Sequence, residues 1–416
     1  MKNRRESSAI FLFLANDSHF FRHIIHLYCN RKRKDESMRR LFFIGIALLP
    51  LLFWPWSVWV TLFWIELLII VGLVQFFLDQ KFLHVSSSLW KYLLIFFSVI
   101  LLSSIFGVDP IKSIFGNPYR IDGIWTLLHL IALTVFLSFV WKKTWETSFM
   151  VALATSAELC SVWAVIDGIR FFLFHDPRVV LWQGALGVSF GNPVFLAGYL
   201  VVTLPCQMYL FYHWRWSIIG LCLQIAAIFL THSWAGYIGV ALFFVGWIWN
   251  TAPVKFRTIL LRISISVVAL LFFGYGIFLW IHRLPISTLS EGRNRIFTKA
   301  IIGWKKRPIF GWGWANFDYV FKNINWPVKF SSDAYVDKAH SMLLEILATS
   351  GIVGLCAYVS IILYTLKHIV SKTDTFYHTL FLMFLLYLFH SQTNVISLNE
   401  ELIFWIIVGI AGSGRI

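Results

Sequence analysis

Residues 293–354 combine side-chain types that bind anions and move protons. Arg293 and Arg295 open this polar segment, His340 closes it, and Glu345 follows on the next apolar stretch. Guanidinium groups bind oxyanions through paired hydrogen bonds, and a neutral imidazole can accept a proton from a hydroxyl group. Loops of this length inside a compact fold are usually functional or disordered, and the high aromatic content argues against disorder. We therefore predict a working site here.

The elements that must position this site are membrane helices. Hydrophobic residues make up 59% of the 416 residues and charged residues only 13%. An ordinary soluble domain carries about 25% charged residues, so that class is excluded. The net charge of +15 comes from basic residues that mostly flank apolar segments. That placement is the orientation signal of a membrane protein, and it argues against nucleic-acid binding.

The apolar segments predict an all-α integral membrane protein with about 12 transmembrane helices. If the segments alternate across the bilayer, the short basic stretches between them fall on one side, which the positive-inside rule makes the cytoplasm. Both termini are then cytoplasmic, and one large loop between spans 9 and 10 faces outward. The apolar segments are 41–54, 57–78, 88–106, 123–141, 147–173, 192–212, 217–232, 235–250, 258–281, 340–366, 376–393 and 400–412.

This topology divides the chain into four parts. The parts are a cytoplasmic N-terminal extension at 1–40, helices 1–9 at 41–281, an extracytoplasmic loop at 282–339 and helices 10–12 at 340–416. Met38 directly precedes the first long apolar segment, so we interpret residues 1–37 as an upstream misreading of the start codon. The five cysteines show no metal-ligand or disulfide spacing, and neither a metal nor a cofactor is expected.

A series of motifs runs in a fixed order along most of residues 41–412. The motifs are Gly116-Asn117-Pro118-Tyr119-Arg120-Ile121-Asp122-Gly123, Gly191-Asn192-Pro193, Ala197-Gly198-Tyr199-Leu200, Pro205, Arg293, Phe297, Ala300, Pro308, Gly311, Gly313, Phe317, Ala339-His340, Glu345 and Gly351-Ile352-Val353-Gly354. Their order and the predicted topology together resemble the O-antigen ligase/polymerase superfamily.

The resemblance implies a metal-independent, inverting glycosyltransferase of the cytoplasmic membrane. Members of that superfamily take a glycan from an undecaprenyl-diphosphate carrier on the outer face of this membrane. The expected partners are therefore this donor, a glycan, lipid or protein acceptor, and the bilayer, without nucleic acid. The motifs do not distinguish a ligase from a polymerase.

The resemblance also implies roles for residues of the large loop. Arg293 is the first candidate for holding the donor diphosphate, and Arg295 is a second, although on a helix the two would point apart. His340 is the candidate base for the acceptor hydroxyl. Asp333 and Asp337 are fallback bases if His340 only orients a neighbour. The alternative for the arginines is a solvated or headgroup-binding role, and for His340 a capping or hydrogen-bonding role.

Other candidates lie outside the loop or at its end. Arg120 is a third candidate for binding the diphosphate, and Asp122, Glu345 and His232 are candidate supporting residues. An Arg120–Asp122 ion pair that only pins its own loop is an equal alternative.

Position 234 departs from the family pattern. The family has an arginine after a serine at the outer end of a middle helix, where this chain has Ser233-Trp234. An indole cannot bind phosphate as a guanidinium does. Two alternatives to an active glycosyltransferase therefore stay open. One is a catalytically inactive relative, and the other is a transporter or flippase for lipid-linked oligosaccharides, which would also use a basic cavity.

Overall fold

The computed structural model describes residues 38–53, 56–79, 87–179, 181–182, 185–251, 293–324 and 336–413. Within these ranges about 80% of the residues are helical. The described strands are a pair of two residues each, the antiparallel β1 (Leu181–Trp182) and β2 (Ala185–Leu186). The predicted all-α class is confirmed.

The helices of the described ranges are α1 (38–48), α2 (Trp56–Asp79), α3 (Ser87–Ile105), α4 (Pro110–Phe115), α5 (Ile124–Val140), α6 (Glu146–Phe174), α7 (Pro193–Phe211), α8 (Ser217–Leu230), α9 (Trp234–Thr251), α10 (Arg293–Lys306), α11 (Phe317–Asn323), α12 (Met342–Val370), α13 (Thr375–Thr393) and α14 (Leu398–Gly412). Each predicted apolar segment in these ranges is helical. The segment 258–281, residues 1–37 and Asp333 lie outside the described residues.

The helices indicate a multi-pass membrane protein. Five described segments are long and apolar enough to cross a membrane by length and composition. These segments are Trp56–Leu73, Ser88–Ile105, Lys143–Phe174, Pro193–Phe211 and Met342–Val370. The total of twelve spans and the side that each loop faces stay predictions.

Two helices, α7 and α14, form the centre of the bundle. In α7 89% of the residues are buried, and α14 is buried along nearly its whole length. A helix that is apolar all round is expected to be surrounded by others. Helix α7 packs against α6, α8, α9 and α13, whereas α14 packs mainly against α5. Thr134 on α5 donates a hydrogen bond to the Trp405 carbonyl of α14 at 2.9 Å.

Helix α12 differs from the continuous span predicted over 340–366. It begins at Met342, and Gly351 interrupts it with φ 68° and ψ −171°, a conformation that is essentially restricted to glycine. The helix is therefore two helical pieces in series. The interruption leaves backbone groups without helical partners, and the loop 307–313 supplies those partners.

The loop 307–313 docks onto this interruption through its backbone. The Ile352 amide donates to the Pro308 carbonyl at 2.9 Å, and the Gly313 amide donates to the Thr349 carbonyl at 2.7 Å. Ser103 on α3 donates to the Thr349 carbonyl at 2.9 Å. The large polar loop is thus joined to the helical bundle by main-chain hydrogen bonds that the Gly351 conformation makes available.

We expect Gly351→Ala to destabilise the protein by more than ~2 kcal/mol, because a Cβ would adopt a glycine-only conformation and lie 2.0 Å from the Ile309 carbonyl oxygen. Thermal unfolding in detergent measures the loss. Gly168→Ala on α6 is the matched control, since its Cβ would meet only a flexible leucine side chain at 3.0 Å. Equal melting temperatures for the two variants would contradict the docking role.

Candidate active site

A cavity opens at the end of the bundle where the loops before α5, α7, α12 and α14 meet. The empty space that it encloses, including the open mouth, is about 1120 Å³. Its charged and titratable lining residues are Arg120, Asp122, Lys338, His340, Glu345 and Glu401. Its large apolar lining residues include Leu52, Val58, Leu127, Leu130, Phe190, Phe195, Trp314 and Leu398. The cavity is therefore polar on one part of its wall and apolar on the rest.

The backbone around His340 is fixed by the first turn of α12. His340 has φ 56°, and the next residue, Ser341, caps the helix by accepting from the Leu344 amide at 3.4 Å. The Ser341 hydroxyl donates to Gln392 Oε1 at 3.0 Å, and the Leu343 amide donates to the same oxygen at 3.2 Å. Gln392 on α13 thus anchors the start of α12, and this anchor holds His340 at the cavity wall.

The His340 ring is half-buried and, among the described residues, makes no hydrogen bond. Burial lowers the pKa of His340 to about 4, and the positive charges of Arg293 and Arg120 act in the same direction. Asp337 opposes them in part. The imidazole is consequently neutral at pH 7, the form that can accept a proton.

Two ion pairs join the segment before His340 to the loop before α5. Arg120 Nε lies 2.5 Å and its Nη2 3.3 Å from the two Asp337 oxygens, and Lys338 Nζ contacts Asp122 Oδ2. Each ion pair therefore joins one segment to the other. Arg120 pairs with Asp337 and not with Asp122, the alternative considered from the sequence. Lys338 Nζ also lies 3.5 Å from Glu345 Oε1. We call Arg120–Asp337 and Lys338–Asp122 the crossed ion pairs.

The crossed ion pairs keep Arg120, Lys338 and Asp122 charged. Burial opposes the charge on Lys338, but the carboxylates of Asp122 and Glu345 hold its pKa above the usual value. Burial likewise opposes ionisation of Asp122, yet Lys338 and the Asn117 amide lower its pKa. Arg120 is desolvated too, and Asp337 keeps its pKa raised.

Arg293 lies at the start of α10, beside the end of α13. Its guanidinium donates to the Thr393 carbonyl and, at 2.8 Å, to Asn394 Oδ1. It does not line the cavity, but its charge acts on His340. Arg295 contacts the Phe321 ring instead, with its guanidinium carbon 5.7 Å from the ring centroid. The helix therefore directs the two arginines to different neighbours.

The remaining candidates fall inside and outside the cavity. Glu345 lines it and accepts the Ala339 amide at 2.6 Å, so this carboxylate supports the backbone next to His340. His232 is exposed in the turn between α8 and α9 and is not part of the cavity lining. Trp234 is 64% exposed and packs edge-on against Tyr237, also away from the cavity.

Sequence reasoning missed several residues of the site. Lys338 directly follows Asp337 and lies two positions before His340, but no motif of the sequence singles it out. Gln392 and Asn394 belong to a polar run at the end of an apolar segment. That run was the available signal, because uncharged polar groups at the end of a membrane helix need partners.

Lowering the pH from about 6.5 to about 4 should destabilise the wild type more than His340→Gln. In this window the unfolded histidine is protonated and the folded one is not, so the unfolded state binds more protons. The free energy of unfolding therefore decreases as the pH is lowered. Thermal unfolding across this range measures the difference. Above pH 7 the two proteins should show parallel curves. A wild type and variant that lose stability equally below pH 6 would contradict the depressed pKa.

Lys338→Met should destabilise the protein by about 1–3 kcal/mol, because it leaves the partly buried Asp122 and the buried Glu345 without their cation. Adding Asp122→Asn should restore part of the loss, since one of these charges is then removed. Chemical or thermal unfolding of both variants in detergent measures this. A Lys338→Met protein as stable as the wild type would show that the crossed ion pairs contribute little.

A family model described as O-antigen ligase matches residues 219–359, from α8 into α12. The matched range contains Arg293, the loop 307–313, Lys338, His340 and Glu345, while Arg120 and Asp122 lie before it. A search of the curated proteins finds no match to the chain. The family match supports O-antigen ligase- or polymerase-like activity in general, with a lipid-linked glycan and an acceptor as partners. Residues 219–359 are thus similar to the O-antigen ligase family, and this match supports the O-antigen ligase/polymerase superfamily.

Proposed function

We propose that the protein is a membrane glycosyltransferase that transfers or polymerises a glycan from an undecaprenyl-diphosphate carrier on the outer face of the cytoplasmic membrane. One observation carries the proposal. The neutral His340 ring, which makes no hydrogen bond among the described residues, lines a cavity together with Arg120 and Lys338 and lies in the field of Arg293.

The cavity suits a lipid-linked anion on two grounds. Positive charge from Arg293 and Arg120 is felt at the His340 ring strongly enough to lower its pKa, so a diphosphate placed there would be stabilised. The apolar wall, which includes Phe190 and Phe195, favours hydrocarbon next to the charged group. A ligand that carries both a diphosphate and a polyprenyl chain matches this division.

The reaction would be a direct displacement at the anomeric carbon of the donor sugar. The acceptor hydroxyl gives its proton to the free nitrogen of His340 while its oxygen forms a bond to that carbon. The bond from this carbon to the diphosphate oxygen breaks, and the diphosphate leaves with the bonding electron pair. Guanidinium groups stabilise the charge that develops on the leaving group, and the configuration of the sugar inverts.

Donor binding would also make His340 a better base. An imidazole with a pKa of about 4 is a weak base for a hydroxyl group. The negative diphosphate would offset the fields of Arg293 and Arg120, so the pKa of the ring would rise, while the larger effect of burial would remain. The acceptor would then be activated mainly when the donor is in place, which would limit proton transfer without transfer of the glycan.

Trp234 does not remove the positive charge of the cavity. Its side chain is mostly exposed, and the cavity is lined by the cations Arg120 and Lys338. An inactive relative and a lipid-linked-oligosaccharide transporter are the competing outcomes of the test below. A transporter would not need a base at position 340.

Complementation of a strain that lacks its own ligase or polymerase tests the proposal. At matched membrane levels, His340→Ala should reduce glycan transfer by about a hundredfold or more, since a general base is lost. Arg293→Ala should cause a loss of similar size, since leaving-group stabilisation is lost. The readout is long-chain or surface-attached glycan on gels.

Arg295→Ala is the matched control, because Arg295 lies two residues from Arg293 on the same helix and contacts Phe321 rather than Asn394. This variant should complement like the wild type. Full activity of both His340→Ala and Arg293→Ala would refute the assignment of the active site to these residues. A wild type that binds the donor but transfers no glycan to any acceptor would indicate the inactive relative.

A further inference from the structure

A chain of buried polar contacts runs from α14 through α13 to Arg293. His390 Nδ1 lies 2.6 Å from Glu400 Oε1, and His390 Nε2 lies 3.3 Å from Asn394 Nδ2. Asn394 Oδ1 accepts from Arg293 at 2.8 Å. We call Glu400, His390, Asn394 and Arg293 the buried relay.

The donor and acceptor atoms of the buried relay follow from its two ends. Arg293 has only donors, so the Asn394 amide must turn its oxygen toward Arg293 and its nitrogen toward His390. His390 Nε2 then accepts a hydrogen bond, which leaves the ring proton on Nδ1, facing Glu400. His390 and Arg293 therefore determine the orientation of the Asn394 amide between them.

The far end of the relay is firmly held. Glu400 Oε2 accepts from the Ser397 amide at 2.9 Å and from the Ser397 hydroxyl at 3.0 Å, in the capping box that begins α14. The neighbouring helix α7 also leaves room only for glycine at position 198. A Cβ there would lie 2.2 Å from both Glu400 Oε1 and His390 Cε1. The Glu400 carboxylate is thus a rigid support.

This arrangement costs stability. The side chains of His390 and Glu400 are completely buried in an apolar bundle, where ionisable groups are expensive. Apolar residues of similar size would stabilise such a site at least as well. The pair is therefore better explained by what it orients than by what it contributes to folding.

We propose that His390, Asn394 and Glu400 are positioning residues that hold the Arg293 guanidinium in place for the donor diphosphate. The inference rests on the proposed function. An arginine side chain loses much rotamer freedom when it is fixed on a ligand. A guanidinium that is already oriented binds the diphosphate without that loss. His390 and Glu400 do not line the cavity, so they can act only through Asn394 and Arg293.

The test uses the full-length protein in nanodiscs with undecaprenyl diphosphate as the probe. We expect His390→Phe, which keeps an aromatic ring but removes both nitrogens, to weaken binding of the probe about tenfold, because Arg293 is displaced. The KM for the lipid-linked donor should rise by a similar factor, and the KM for the acceptor should not change. His390→Gln, whose amide can reach the position of Nε2, should recover most of the affinity.

A mutant background and a matched control separate the loss of Arg293 positioning from a general loss of packing. In an Arg293→Ala background, His390→Phe should have no further effect on probe binding, because the relay acts only through Arg293. Thr203→Val on α7 is the matched control, since it breaks a buried hydrogen bond from Gln224 at 3.1 Å that does not reach Arg293. This control should lower the melting temperature and leave probe affinity unchanged.

If His390→Phe does not fold, Asn394→Ala replaces it in both backgrounds, because this variant cuts the relay and leaves the His390–Glu400 pair intact. Since Asn394 also lines the cavity, only a loss of probe binding that disappears in the Arg293→Ala background is an effect of positioning. The inference is wrong if Arg293→Ala weakens probe binding while His390→Phe or its replacement does not. It is also wrong if the two effects add in the double variant. If Arg293→Ala itself binds undecaprenyl diphosphate like the wild type, the assignment of Arg293 under the proposed function fails first, and the relay has no role in donor binding.

Discussion

Charge buried in an apolar bundle must be paired, and the arrangement of the site depends on this constraint. The crossed ion pairs Arg120–Asp337 and Lys338–Asp122 join two segments that are more than two hundred residues apart in the chain. The segment that carries Asp337 and Lys338 leads directly to His340. The position of His340 therefore follows from the ion pairs of Asp337 and Lys338. Gln392 also holds the first turn of α12, which begins directly after His340, through the Ser341 hydroxyl.

Arg120 has a second effect, which concerns the protonation of His340. Burial contributes most to the low pKa of His340, and Arg120, although neutralised in part by Asp337, disfavours a proton on the ring together with Arg293. The pocket therefore holds a neutral imidazole in a positive field, a combination that suits a reaction in which an anion leaves and a hydroxyl group loses its proton. The interruption at Gly351 serves this arrangement, because it allows the loop 307–313 to dock on the bundle while α12 continues.

Much of the helical architecture could be predicted because apolar segments of spanning length have few alternatives in a membrane. The apolar segments in the described ranges are helices, and the polar segment between α9 and α12 does carry residues of the cavity. The partners of those residues could not be predicted. Pairing of Arg120 with Asp337 rather than Asp122, and the contact between Arg293 and Asn394, depend on how distant helix ends meet.

By itself, the sequence determined the membrane class, the helical segments, the family resemblance and the residue types available for chemistry, because these follow from local composition, spacing and motif order. Only the tertiary structure decided which charges neutralise one another, which histidine faces a cavity and which is buried against a carboxylate. His340 and His390 both lie near the ends of apolar segments, and the family motif singles out His340 without showing what surrounds either ring. The packing of α7, α12, α13 and α14 gives one an open cavity and the other Glu400, because low-dielectric burial makes each polar group depend on its three-dimensional neighbours.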